Sequence, residues 1–119
     1  MGSRMPRRLA LLAVLTATAA AALAPAAPAQ TRSCGSIANP YPGARFAGAS
    51  LSRITATGVS CRTARRVARG AHRRALGIAP SLNGIRTFSW NGWRVTGDLR
   101  PSSDRYVATR DTTRVRWRF

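Results

Sequence analysis

From Ser60 to Ala75 the apolar and charged positions follow a helical period. Cys61, Ala64, Ala68, Ala71 and Ala75 recur at spacings of three and four, which stacks them on one face of an α-helix with Val67 beside them. Arg62, Arg65, Arg66, Arg69 and Arg73 fall on the other faces, and Arg74 extends the cluster. The apolar face is built of small side chains, so such a helix can lie close against a sheet. Ser60 is placed to cap it, because its hydroxyl can accept from an unpaired amide of the first turn. Gly70 interrupts the pattern, so the last turn is expected to fray or to end there.

After the helix the period changes to two. Arg114 to Phe119 alternates strictly, with Val115, Trp117 and Phe119 on one side and Arg114, Arg116 and Arg118 on the other, the pattern of a half-buried strand. Arg86–Trp90 and Trp93–Gly97 flank Asn91-Gly92, a hairpin signal because both residues tolerate positive φ. Arg105–Arg110 reads as a further strand, turned by Asp111-Thr112-Thr113, and Leu51–Ala56 as the first. Leu76–Ile85, with Gly77, Pro80 and Asn83-Gly84, and Leu99–Asp104 read as loops. The expected fold class is α+β: one helix in the N-terminal half packed on a small antiparallel sheet of about four to five strands. Ile54, Ala64, Val67, Ala68, Val95, Val107, Val115, Trp117 and Phe119 form the expected core.

The first part of the chain reads differently. Arg4, Arg7 and Arg8 precede an alanine- and leucine-rich run from Leu9 to Leu23, and Ala27-Pro28-Ala29 offers small residues for a signal peptidase. Residues 1–29 are therefore expected to be a signal peptide, cleaved near Ala29–Gln30. The run is short for a membrane span and has no stop-transfer flank, so no transmembrane segment is expected in the mature chain. Residues 30–50 are rich in Gly, Pro, Ala and Ser and read as a mostly irregular arm. Residues 51–119 then form a single small α+β domain. Export fixes the redox setting: Cys34 and Cys61 are an even pair in a small exported domain and are expected to form a disulfide that ties the arm down. No metal or other cofactor is expected, because only His72 remains as a further nitrogen ligand.

Charge adds a partner class. The 119-residue chain carries +17, falling to +14 without Arg4, Arg7 and Arg8, and every basic residue is arginine. Such a charge attracts polyanions over long range at low salt. The arginine- and alanine-rich composition also fits drift in a GC-rich genome, so clustering is better evidence than the total. Two clusters are candidates for polyanion binding: Arg62, Arg65, Arg66, Arg69, Arg73 and Arg74 on the helix, and Arg114, Arg116 and Arg118 on the last strand. In this fold they would form two patches on opposite sides of the core. The ordinary reading of each is a solvated surface.

With the expected signal peptide, the segment Ile54-Thr55-Ala56-Thr57-Gly58-Val59-Ser60-Cys61, the helix start Ala64-Arg65-Arg66-Val67-Ala68 and the terminal alternating strand, the chain resembles small secreted actinobacterial proteins of unknown function. Such proteins typically carry four cysteines. Here Val95 stands where the third would sit, and Thr109 or Ala108 where the fourth would. The resemblance thus implies a second bridge replaced by a side-chain contact across strands, and it implies no activity.

Catalysis is not expected. Apart from His72, expected at the surface, the chain offers only Asp98, Asp104 and Asp111 and no glutamate, with no nucleophile elbow or phosphate loop. The leading expectation is a secreted or wall-associated basic domain that binds anionic envelope or extracellular polymers, with no sequence-specific nucleic acid. The alternative is a protein-interaction module, such as an inhibitor of an extracellular enzyme, using loop 76–85 or 99–104. A third reading is membrane activity through Arg114–Phe119.

Overall fold

A computed structural model describes residues 2, 13–16, 30–41, 43–46 and 48–119. The expected signal peptide lies largely outside these. The element order is β1 (Thr31–Ala38), a 3-10 turn (Ala44–Phe46), β2 (Ser50–Thr57), α1 (Cys61–Ala75), β3 (Ile85–Trp90), β4 (Trp93–Asp98), β5 (Arg105–Arg110) and β6 (Thr113–Arg118). The strands form one six-stranded antiparallel sheet in the order β1-β2-β6-β5-β4-β3. The α+β class with one helix on an antiparallel sheet is as expected, but the sheet has six strands rather than four to five. The additional strand is β1, which occupies part of the stretch read as an irregular arm. Its backbone pairs with β2 through two register shifts around Gly35, and only Cys34 and Ile37 face inward. Those shifts erase the period of two that would have marked it as a strand.

Helix α1 starts as its residues dictate. Ser60 is extended and its hydroxyl accepts from the Thr63 amide at 3.2 Å. The buried face comprises Ala64, Val67, Ala68, Ala71, His72 and Ala75. Gly70 does not end the helix, which runs five residues further. A Cβ at Gly70 would overlap the Trp90 ring, so glycine is there to let β3 approach. The Asn91-Gly92 hairpin forms as expected, with φ of 45° and 80°.

The concave face of the sheet is graded in size. Phe88, Val95, Ala108, Val115 and Ala56 face one another in sequence across five strands. The next row is Arg86, Gly97, Tyr106 and Trp117. Tyr106 and Trp117 stack at 5.4 Å in nearly parallel planes. Val95 and Ala108, near the places where a second cysteine pair would sit, are directly opposed and fully buried.

Two expected core residues move. Val107 is only half-buried, on the outer face of the sheet, because Tyr106 and Ala108 take the inward positions of β5. Phe119 lies half-buried at the end of the core cluster. Leu51, Ile37, Trp93 and Tyr106 belong to the core in addition to the expected residues.

A flat sheet of six strands would be roughly 24 Å between its outer strands, and a helix is about 10 Å wide. Yet α1 touches both outer strands, β1 and β3, as well as β2 and β6. The sheet must therefore curl around the helix, which leaves the arginine face of α1 exposed between the two sheet edges.

Candidate anion-binding site

The seam between those edges is a groove of about 720 Å³. Arg62, Arg65, Arg66, Arg69 and Arg73 of α1 line it, with Ile37 from β1 and Trp90 and Asn91 from the β3–β4 hairpin. Spacings of four, three and four keep Arg62, Arg66, Arg69 and Arg73 in one row, which extends roughly 16 Å along the helix at about 1.5 Å per residue. Gly70 opens the helix surface beside them, and the half-buried Trp90 ring fills that opening. The groove thus combines guanidinium forks along its length with apolar surface from Ile37 and Trp90.

Arg65 differs from the other four. Its Nη1 donates to the carbonyls of Cys34 and Ser36, both at 3.0 Å. It ties β1 to the helix beside the Cys34–Cys61 bridge, whose Cα atoms are 5.2 Å apart. Arg74 lies outside the groove, in the last turn, where a cation complements the helix dipole. The only ion pair among the described residues joins Arg100 to Asp98 at 2.9 Å. The groove arginines consequently have no carboxylate neutralising them.

The second expected cluster is on the outer face of the curled sheet. Arg114 and Arg116 border a hollow with Thr55, Thr57 and Thr109. Arg116 and Arg118 border an adjoining one with Arg53 and Arg105, two residues that sequence reasoning passed over. The two clusters form separate patches. Trp90, Ile37 and Asn91 were also missed as groove residues. The available signal was Gly70, a helix-interior glycine of the kind that marks close approach.

His72 is not at the surface. It is fully buried, and the Tyr41 hydroxyl pairs with its Nδ1. Its ring stands edge-on to Tyr106 at 4.9 Å and against Phe119 at 4.2 Å. Burial, with a smaller contribution from the Arg86 charge, pushes its pKa down to about 4. Burial likewise pushes the Tyr41 hydroxyl up. Both groups are therefore neutral near pH 7. Tyr41 fastens the segment before β2 to the helix, a second anchor beyond the disulfide, and His72 has no exposed atom with which to meet a substrate.

Among the described residues no group of His, Cys, Asp and Glu side chains is arranged to hold a metal ion, and no helix is long and apolar enough to cross a membrane. The chain matches no family model, and comparison with curated proteins and with solved structures found no match. The geometry of the groove therefore carries the functional argument.

Proposed function

We propose that the protein is an exported binding domain that holds an anionic polymer of the cell envelope or its surroundings in the groove over α1. The observation that carries this is the row Arg62, Arg66, Arg69 and Arg73, free of carboxylates and set against Trp90 and Ile37. A guanidinium meets a phosphate or carboxylate through two parallel hydrogen bonds, and a periodic row of them suits a ligand with repeated anionic groups. The disulfide is of the kind that oxidising, extracellular settings support. Trp93 and Trp117 are buried while Trp90 is half-buried in the groove, so Trp90 is the natural reporter. Titrating the full chain with a polyphosphate is expected to change tryptophan emission, and Trp90→Phe to abolish the change. An emission change that persists in Trp90→Phe would place binding elsewhere.

Loop 76–85 supports a second reading as a partner-binding surface. Leu82 is fully exposed at its tip, while Ser81 and Gly84 brace the loop: the Ser81 amide donates to the Ile85 carbonyl at 2.9 Å, and the Leu99 amide to the Gly84 carbonyl at 2.9 Å. A preordered loop presenting one large apolar side chain is suited to a pocket on another protein. Capture of a partner that resists salt and is lost in Leu82→Asp is its test. Membrane activity through β6 draws less support, because Val115 and Trp117 are sealed in the core and would have to leave it.

A further inference from the structure

The outer face of the sheet carries a concentration of charge that folding opposes. Arg105 and Arg118 are direct cross-strand partners on β5 and β6, on the side away from the helix. Like charges in that position repel, and Asp98, the partner of Arg105 across β4, makes its ion pair with Arg100 instead. Arg53 joins them from β2. It sits at the register shift between Ser52 and Thr55, with a φ of 50° that a side-chain-bearing residue rarely adopts. A bulge of this kind re-aims a side chain, and Arg53 is brought to the same hollow of about 410 Å³ as Arg105, Arg116 and Arg118. Val107 and Thr55 also line that hollow.

We infer that Arg53, Arg105 and Arg118 form a second oxyanion site, for a phosphate group of a polyanion, so that one domain bridges two polymer segments. The helix groove and this hollow lie on opposite sides of the sheet, so one short stretch of ligand cannot occupy both. Bridging rests on the groove binding proposed above; the second site does not. The charge of Arg53, with smaller contributions from desolvation and from Arg105, also holds the Arg118 guanidinium below its usual range. A bound phosphate oxygen set would relieve that repulsion and accept from the three forks.

The test is titration calorimetry of the full chain with tripolyphosphate at about 0.15 M salt, where long-range attraction is screened. Three proteins are compared: the unmodified chain, a sheet-face variant with Arg53→Gln, Arg105→Gln and Arg118→Gln, and a groove variant with Arg62→Gln, Arg66→Gln, Arg69→Gln and Arg73→Gln. The inference expects two ions bound by the unmodified chain and one by each variant. Long-chain polyphosphate should give turbidity only with the unmodified chain, and excess tripolyphosphate should clear it. A sheet-face variant with undiminished stoichiometry and turbidity overturns the second site and leaves the groove reading intact. A groove variant with undiminished stoichiometry overturns the groove reading, and bridging falls with it. A readout free of substitutions uses the arginine Nε–H resonances of the unmodified chain. Those of Arg53, Arg105 and Arg118 should shift on saturation with tripolyphosphate, and their failure to move overturns the second site.

Discussion

Acidification tests the buried His72 and with it the attachment of the N-terminal segment. In the folded chain its pKa falls from 6.5 to about 4, chiefly through burial, with Arg86 adding to the effect. Tyr41, Tyr106 and Phe119 pack against the ring and supply no compensating negative charge. Below pH 6.5 the unfolded chain takes up a proton at this site that the folded chain refuses. Stability is therefore full above that pH, falls as pH drops, and has lost the whole contribution below about pH 4. Each pH unit of the gap is about 1.4 kcal/mol, which gives a loss of about 3 kcal/mol. For a domain whose total stability is about 5–15 kcal/mol this is a large share. The assay is urea unfolding of the full chain between pH 7 and pH 4, compared with His72→Gln, which can still accept from Tyr41 but does not titrate. Other groups titrate alike in both proteins, so the difference isolates His72. Equal pH dependence in the two proteins, or a histidine resonance titrating near 6.5, would refute the reasoning.

Arg65→Met should lower stability by about 1–2 kcal/mol in urea unfolding, since two carbonyls lose their donor, whereas Arg66→Gln should leave stability unchanged and weaken polyphosphate binding. Gly70→Ala should lower the melting point, by overpacking worth about 1–3 kcal/mol, and shift tryptophan emission as the Trp90 ring is displaced. Replacing Cys34 and Cys61 together by serine should cost about 3.5 kcal/mol, from the loop entropy of a 27-residue separation, measurable by the same unfolding.

Local signals were legible and distant ones were not. Ser60, the small-residue face of α1 and the Asn91-Gly92 turn each act within a few residues, so the helix start and the hairpin could be read directly. Strand β1 was hidden because its bulges at Gly35 leave only Cys34 and Ile37 pointing inward. In β5, Tyr106, Val107 and Ala108 are all apolar, so the run itself does not reveal which phase is buried. His72 sits among arginines and reads as polar surface, although it lies one turn after Ala68 on the buried face. The arginine row of the site was visible from helical spacing. Its other walls come from β1 and from the β3–β4 hairpin, on opposite edges of the sheet, and only the curl of the sheet brings them beside the helix.

The most direct measurement of groove binding is its salt dependence. The affinity of the full chain for a short polyphosphate oligomer would be followed across salt concentrations, beside the variant in which Arg62, Arg66, Arg69 and Arg73 are glutamine. Each lost phosphate contact lowers the slope of log affinity against log salt by about 0.7–0.9, so the variant should be shallower by about 3 and much weaker near 0.15 M. Identical slopes and affinities in the two proteins would contradict the account.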